Sequence, residues 1–203
     1  MARSKSHAPG SNIEQLESIV CDVLDAAATV TVPLFRRVLA VHDKGGNAGF
    51  DPVTPADRWA ELAMRERLAC RVPGHRVEGE EHDVCAGQSA HGIRWILDPI
   101  DGTKSYVSGI PLWGTLVGVW DDDEPLVGGI DHPMLGERFI GSVRGARRLC
   151  AGAVTALKVR PCARLATPCC ARPSPSSPLR SPRLPGWPDT RPTATGTRCW
   201  LRG

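Results

Sequence analysis

The sequence predicts an α+β fold, in which two helices precede a mainly antiparallel sheet. Two segments with helical periodicity lie within the first 70 residues, and short apolar runs separated by turns follow them. The last of these runs are close neighbours along the chain, which is typical of an antiparallel meander. The chain has 203 residues, 41% of them apolar, which is enough for one such domain with a hydrophobic core.

The first helix should begin near residue 12. Ser11–Glu14 has the spacing of a capping box and precedes apolar residues at helical spacing. Pro33 should kink or divide this helix before it ends near Val41, because proline removes a helical hydrogen bond. The glycine-rich stretch over residues 44–49 should then form a flexible loop.

A second helix is expected over about residues 55–70. Thr54 is a favourable N-cap residue, Pro55 fits the first helical position, and Asp57 lies in the first turn, where an acid is stabilised. The segments with strand character that follow are 75–80, 94–97, 115–120, 126–130 and 137–143. The acidic run between the third and fourth of these strands is expected to be a solvated hairpin tip rather than a metal site.

Composition excludes several classes of protein. No apolar run approaches the roughly 20 residues of a membrane-spanning helix, and no signal-type apolar core follows the N-terminus. We therefore expect a cytoplasmic protein without a membrane partner. The eight cysteines form no C-x-x-C pair, which favours free thiols over disulfides or a zinc site.

The last 43 residues differ from the rest of the chain. Residues 161–203 contain nine of the 18 prolines, seven arginines and one acid, Asp189, which gives this segment a balance of +6. Such a segment should not pack and is expected to be a disordered tail. Residues 1–160 then carry a balance of −3, so they offer no case for nucleic-acid binding. The expected organisation is a flexible N-terminus over 1–11, an α+β domain over 12–160, and this tail.

Trp95–Thr103 is the most informative stretch of the sequence. Asp98 and Asp101 follow an apolar strand, and oxygen ligands of this kind suit Mg²⁺. Pro99 should prevent the strand from simply continuing, which frees the carbonyl of Ile100 to turn toward a cation. Gly102 and Thr103 then open a short helix, whose first N–H groups can receive an anion. Taken alone, these dipeptides also fit two ordinary turns.

A second acidic segment should lie beside the first. Glu80 follows a strand much as Asp98 does, and two neighbouring strands that end together would bring both side chains close to Asp101. Three carboxylates this close need a compensating charge, for which a divalent cation is the natural choice. Thr54 and Asp57 begin a helix that could supply the hydrogen-bonding pair for an attacking water.

These segments carry a resemblance to a known family. In order and spacing, the set resembles the inositol-monophosphatase family of Mg²⁺-dependent phosphatases, over roughly residues 12–165. The matching segments are Phe50–Asp57, Gly79–Glu81, Asp98–Thr103 and Gly128–Pro133. The resemblance implies a layered α/β/α sandwich of the inositol-monophosphatase and fructose-bisphosphatase type, truncated here. Gly109–Thr115 and Glu137–Phe139 are most similar to the histidinol-phosphate phosphatase branch.

The resemblance also implies roles for individual residues. Mg²⁺ would be bound by Glu80, Asp98, the Ile100 carbonyl and Asp101. Phosphate would be held by backbone N–H groups of Gly102 and Thr103, beside Asp101. Thr103 and Asp57 would position the nucleophilic water, and Glu80 would help to polarise it through the metal. Lys44 is either a basic residue of this site or a solvated loop lysine, and Trp113 either walls the substrate pocket or belongs to the core.

Part of the family pattern is missing from this sequence. Relatives complete a second metal site with an aspartate in a later Trp-Asp-x-Ala segment, which this sequence lacks. Our hypothesis is a change of reading frame near Ala166, because the tail is rich in residues with GC-rich codons. A half domain would leave a sheet face and strand edges uncovered, so we expect weak or absent activity for the chain as printed.

The function that the resemblance implies is Mg²⁺-dependent hydrolysis of a small phosphate monoester. L-histidinol phosphate is the first candidate substrate, and inositol phosphate or another polyol phosphate is the second. Two alternatives remain: an inactive metal- or phosphate-binding remnant, and an interaction protein with a basic tail. A homodimer is an expectation from the family alone.

Overall fold

Two long helices and a seven-stranded sheet build the hydrophobic core in our computed structural model, which describes residues 13–44, 50–82 and 92–159. The helices are α1 (Ile13–Leu34), α2 (Pro55–Arg71) and the short α3 (Thr103–Val107). The strands are β1 (His42–Asp43), β2 (Pro52–Val53), β3 (Arg76–Gly79), β4 (Ile93–Asp101), β5 (Gly114–Asp121), β6 (Glu124–His132), β7 (Glu137–Ser142), β8 (Gly145–Cys150) and β9 (Ala153–Leu157). This arrangement confirms the predicted α+β class.

The large sheet is a meander with one parallel edge. Its strands run in chain order from β3 to β9, and every neighbouring pair is antiparallel except β3 and β4. In this parallel pair both strands run in the same direction, and β3 ends at Gly79 opposite Leu97, while β4 continues to Asp101. The two-stranded sheet of β1 and β2 is separate and brings Lys44 next to Asp51, whose carbonyl accepts the Lys44 N–H at 2.7 Å.

The core lies between the two long helices and the sheet. The face of α1 that repeats every three or four residues is buried, and its side chains pack with those of α2 and β4–β7. Residues of this face with no exposed surface include Ile19, Val20, Val23 and Leu24. Trp95 of β4, which is also fully buried, lies at the centre of the same cluster. The position of β4 is therefore fixed by packing before any polar contact is considered.

The predicted course of the first helix is wrong after residue 34. Pro33 lies in the last turn of α1 and does not divide it, because the helix ends one residue later and never reaches Val41. A proline in the last turn removes a hydrogen bond that the helix end would otherwise need. The predicted capping residue Ser11 and the loop residues 45–49 lie outside the described residues. The second helix agrees with its prediction, including the N-cap at Thr54.

Pro99 interrupts the regular pairing of β4, as predicted, although the strand is longer than the predicted segment 94–97. The strand continues to Asp101, and its register with β5 shifts between Asp98 and Asp101. Such an irregularity accommodates a residue that cannot donate a ladder hydrogen bond. Strands β8 and β9 had no counterpart among the predicted segments. The predicted flexible N-terminus over 1–11 and the tail over 161–203 lie outside the described residues.

Within the described residues, we found no helix with both the length and the apolar character needed to cross a membrane.

Candidate active site

The irregular end of β4 places backbone and carboxylate groups in one turn. Ile100 is 2% exposed, and its side chain packs into a small aromatic cluster, so the main chain on either side of it is held firmly. Gly102 follows with φ of 89°, a left-handed conformation that favours glycine. A Cβ at this position would also lie 3.1 Å from the Leu112 carbonyl oxygen. Both the conformation and the space therefore require glycine before α3 begins at Thr103.

Glu80 and Asp98 come together, as predicted, where β3 ends beside the irregular part of β4. Gly79 pairs with Leu97 in the parallel ladder. The residues that follow this pair along the chain, Glu80 and Asp98, are therefore neighbours. Burial raises the pKa of Asp98 to about 7, and the nearby carboxylates of Glu80 and Asp101 contribute in the same direction. Asp98 Oδ1 is buried and has no hydrogen-bond partner within the described residues. This corner of the sheet therefore concentrates negative charge that the described residues compensate only in part.

Asp57 and Thr103 connect the start of α2 to the start of α3. Asp57 Oδ2 accepts the backbone N–H of Thr54 at 2.8 Å and the Thr54 hydroxyl at 2.6 Å. Its other oxygen, Oδ1, lies 3.3 Å from Thr103 Oγ1. The Thr103 hydroxyl is also 3.0 Å from the Ile100 carbonyl oxygen, so its single proton can serve only one of the two acceptors at a time.

Burial also changes the pKa of Asp57. Its side chain is almost fully enclosed, and this burial raises the pKa of Asp57, although the hydrogen bonds from Thr54 and Thr103 work in the opposite direction. A carboxylate with a raised pKa is a better proton acceptor than an exposed one. Asp57 therefore combines fixed geometry with basicity, which are the two properties required of a general base.

Lys44 belongs to the acidic corner and is not simply a solvated loop residue. Its Nζ lies 2.7 Å from Glu81 Oε1 and 3.4 Å from Glu80 Oε1. Partial burial by itself would lower the pKa of Lys44, but the carboxylates of Glu81 and Glu80 raise it overall. The sequence interpretation missed Glu81, although its position directly after Glu80 in a run of acids was a visible signal.

Trp113 belongs to the core. It is 2% exposed, and its ring packs against Phe35 and Tyr106 at centroid distances of 5.7 and 4.9 Å. The Tyr106 hydroxyl donates to the Thr31 carbonyl oxygen at 2.7 Å, which joins this aromatic cluster to α1. The ring of Trp113 therefore packs in the same buried cluster as Ile100. Of the two roles considered for Trp113, the structure shows the core residue and not the pocket wall.

The donor set of this corner fits a hard cation. Its oxygens come from carboxylates and a carbonyl, the ligand types that Mg²⁺ prefers, and one carboxylate oxygen of Asp98 has no hydrogen-bond partner among the residues that the structure describes. As placed, no three His, Cys, Asp or Glu side chains in the described part of the chain form a group that could hold a metal ion. Lys44 offers a physical reason, because its ammonium group already contacts Glu80. Binding of a cation would require Glu80 to exchange this contact for the metal.

Comparison with known proteins identifies the family. Residues 12–181 match the model of the inositol monophosphatase family. The chain belongs to this family. Among its relatives is a chloroplastic bifunctional phosphatase of Arabidopsis thaliana, which is 37% identical over 139 residues, covering 68% of this chain and 39% of the relative. A histidinol-phosphatase of Streptomyces coelicolor is 38% identical, covering 62% of this chain and 46% of the relative.

Solved structures share the fold. An inositol monophosphatase from Zymomonas mobilis superposes with a TM-score of 0.58 at 32% identity, covering 75% of this chain and 56% of the other. The extragenic suppressor protein suhB of Bartonella henselae gives a TM-score of 0.60 at 26% identity, covering 64% and 50%. The chain therefore spans about half of these structures, and less than half of the two relatives described above.

Proposed function

We propose that this chain carries the site of an Mg²⁺-dependent phosphatase that hydrolyses small phosphate monoesters, with L-histidinol phosphate as the first candidate substrate. The observation that carries the proposal is the meeting of two acidic strand ends with a hydroxyl and carboxylate pair. Glu80 and Asp98 converge on one side, while Thr103 and Asp57 lie within hydrogen-bonding distance on the other. Membership of the inositol monophosphatase family supports the same reaction class.

The proposed ligands of Mg²⁺ are the carboxylates of Glu80, Asp98 and Asp101 and the carbonyl oxygen of Ile100. A bound Mg²⁺ would supply two things: a lower pKa for the attacking water and neutralisation of charge on the phosphoryl oxygens. Lys44 would leave Glu80 when the metal binds and remain paired with Glu81.

The remaining roles fall to groups of the chain itself. Backbone N–H groups of Gly102 and Thr103 would hold the phosphate, beside Asp101. The Thr103 hydroxyl would orient the water, and Asp57 would take up its proton through this hydroxyl. The water oxygen would bond to phosphorus as the ester P–O bond breaks, and the departing alkoxide would take a proton from solvent water, so that alcohol and inorganic phosphate leave without a covalent enzyme intermediate. Asp57 would then return its proton to solvent.

The choice of substrate rests on similarity of sequence. Histidinol-phosphatases of Streptomyces coelicolor and Mycobacterium tuberculosis are 38% and 40% identical to this chain over the matched residues. An inositol-1-monophosphatase of Mycolicibacterium smegmatis is 31% identical. A fructose-1,6-bisphosphatase/inositol-1-monophosphatase of Aquifex aeolicus is 35% identical, so the two groups of relatives are similarly close. Histidinol phosphate remains our first candidate and inositol phosphate our second.

The experiment measures phosphate release from histidinol phosphate and from inositol 1-phosphate, with Mg²⁺ and with a chelator. It uses the 203-residue chain and a version whose coding sequence is shifted by one base near Ala166. We expect Mg²⁺-dependent release, faster from histidinol phosphate, with the shifted version more active than the chain as printed. Asp98→Asn should abolish the Mg²⁺ dependence in both.

Three results would count against the proposal or part of it. If neither protein releases phosphate faster with Mg²⁺ than with the chelator, the phosphatase proposal is wrong. Equal kcat/KM for the two substrates would reject histidinol phosphate as the preferred substrate. Mg²⁺ binding without turnover in both proteins would support the alternative of an inactive metal-binding remnant.

A further inference from the structure

Glu61 is a fully buried carboxylate on α2, one helical turn after Asp57. Its Oε1 lies 2.8 Å from Arg65 Nε and 3.3 Å from His82 Nδ1. Its Oε2 accepts the backbone N–H of Glu81 at 2.7 Å. The side chain therefore bridges α2 and the turn that follows β3.

Arg65 strengthens the same bridge. It lies four residues after Glu61 on α2, and its guanidinium reaches the Val77 carbonyl oxygen at 3.4 Å and the His82 carbonyl oxygen at 3.0 Å. Together the two side chains contact the residues on both sides of Glu80. A Cβ at Gly79 would overlap the Glu61 carboxylate, so glycine is required for this close approach.

The cost of burying Glu61 calls for an explanation. Removing a carboxylate from water is expensive, and replacing a buried ion pair by apolar residues is often neutral or stabilising. Here each oxygen has a partner, and the contacts described above that lie outside α2 are with 77–82, the segment that contains Glu80. The contacts thus fix the orientation of one turn rather than filling a space in the core.

We propose that Glu61 is a positioning residue that holds the Glu80–Glu81 turn against α2, so that Glu80 faces Asp98 and Asp57 in the geometry that metal binding needs. This inference rests on the proposed function. Because α2 carries both Asp57 and Glu61, one rigid helix sets the water-positioning carboxylate and one of the metal-binding carboxylates. The sequence signal was present as an acid four residues after Asp57, on the buried face of the helix.

The test is Glu61→Gln in the full 203-residue chain. The Gln side chain has nearly the same size, but its amide has one acceptor oxygen and one NH₂ donor group. The NH₂ group would face either the Arg65 guanidinium or the Glu81 N–H, which are both donors, so one of the two hydrogen bonds is lost. We expect Mg²⁺, titrated by calorimetry, to bind about 10- to 100-fold more weakly, the usual effect of losing a group that orients a metal ligand. In the metal-free protein, the Glu81 amide hydrogen should exchange faster than in the wild type.

Glu17→Gln is the matched control. Glu17 is a buried glutamate on α1, and its Oε2 lies 2.7 Å from Arg147 Nη1. The same chemical change is therefore made in another buried ion pair, remote in sequence from the acidic turn. We expect thermal stability to fall, while the Mg²⁺ affinity and the exchange rate of the Glu81 amide stay at wild-type values.

Arg65→Lys keeps the proposal testable if Glu61→Gln does not fold. Lysine retains the charge but loses the fork of donors to Val77 and His82, so it should show the same two changes to a smaller extent. Wild-type Mg²⁺ affinity and wild-type Glu81 exchange in the variants would overturn the inference. Absence of Mg²⁺ binding in the wild type would instead overturn the proposed function, and the exchange of Glu81 would still decide whether Glu61 holds the turn.

Discussion

At the scale of single residues, the candidate site depends on hydrogen bonds between groups that are far apart in the sequence. Thr103 and Asp57 are 46 positions apart in the sequence. Thr103 Oγ1 lies 3.3 Å from Asp57 Oδ1 because the first turns of α2 and α3 are close together in the fold. The Thr103 hydroxyl also lies 3.0 Å from the Ile100 carbonyl oxygen, a proposed metal ligand. A single hydroxyl therefore links the proposed proton acceptor to the proposed metal site.

Thr103→Val tests this link with little change in shape. Valine keeps the branched side chain but has no hydroxyl, so the water-positioning role should be lost while packing is kept. We expect kcat of the frame-shifted version to fall by about 10²- to 10⁴-fold, the usual range for general acid–base groups, with KM changed much less. Thr103→Ser, which retains the hydroxyl, should stay within about tenfold of the wild type. A loss of activity in Thr103→Ser as large as in Thr103→Val would contradict the role of the hydroxyl.

At the scale of elements, α1 and β6 approach so closely that one strand position must be glycine. A Cβ at Gly129 would lie 2.5 Å from Val20 Cγ1 and 3.0 Å from Leu24 Cδ1. At the neighbouring Gly128, a Cβ would have no atom within 4 Å in the described structure. The two adjacent glycines therefore lie on opposite faces of β6, and only Gly129 faces α1. The effect of this packing on stability can be measured by substituting each of them.

Gly129→Ala should destabilise the protein by about 1–3 kcal/mol, because overpacking forces the helix and strand apart. Gly128→Ala should be neutral, or stabilising by up to about 1 kcal/mol, since alanine reduces the freedom of the unfolded chain. Chemical denaturation of the two variants side by side measures both values. Equal destabilisation by the two substitutions would show that Gly129 is not a packing constraint.

Elements with strong local signals were predictable from the sequence, and those that depend on pairing were not. The N-cap at Thr54 and the apolar face of α1 are local patterns, and both are confirmed. Strands β8 and β9 were missed because they are short and have no long apolar run, and each is defined by its ladder to the strand before it, β7 for β8 and β8 for β9. The convergence of Glu80 and Asp98 was predictable from two strand ends, whereas Glu61 could be recognised only once its partners were known.

A hydrogen bond between His75 and Trp95 makes the packing of β4 sensitive to pH. The buried indole N–H of Trp95 donates to His75 Nδ1 at 3.1 Å, which requires the neutral imidazole. Burial lowers the pKa of His75 below its ordinary value of 6.5. As the pH falls, His75 takes up a proton near pH 6.5 in the unfolded chain and only at lower pH in the folded chain. The stabilisation is therefore complete above pH 6.5 and declines as the pH falls through the pKa of His75 in the folded protein.

We expect the free energy of unfolding of the wild type, relative to His75→Gln, to decrease as the pH falls below 6.5 and to be constant above it. Glutamine can accept the Trp95 N–H without titrating, so the comparison cancels the other acidic groups. Denaturant titrations between pH 5 and 8 provide the energies, and the imidazole proton shift in NMR gives the pKa of His75 directly. A pKa above 6.5, or a constant difference over this range, would contradict the argument.

At the scale of the whole molecule, the described fold concentrates uncompensated negative charge at one corner. The end of β3 and the irregular end of β4 bring Glu80, Asp98 and Asp101 together, and Lys44 neutralises only part of this charge. Burial and, after it, repulsion from Glu80 and Asp101 raise the pKa of Asp98 to about 7. This corner is destabilising without a counterion, so the stability of the whole domain should respond to a divalent cation.

Mg²⁺ should therefore raise the melting temperature of the wild type. A ligand present at 100 times its Kd stabilises the folded state by about 2.7 kcal/mol, which corresponds to roughly 5–10 °C for a domain of this size. Asp98→Asn removes one of the repelling charges and one proposed ligand. Its metal-free form should melt at or above the wild-type temperature, yet Mg²⁺ should no longer shift it.

Asp123→Asn is the control for nonspecific screening by Mg²⁺. Asp123 is an exposed acid in the turn between β5 and β6, where the sequence predicts a solvated hairpin tip rather than a metal site. This variant should keep the full Mg²⁺ response, because removing an exposed charge leaves the corner of β3 and β4 unchanged. Thermal denaturation of the three proteins with Mg²⁺ and with a chelator measures the effect. An Mg²⁺ shift in Asp98→Asn equal to that of the wild type would place the cation elsewhere on the molecule, and loss of the shift in Asp123→Asn would place it at the hairpin.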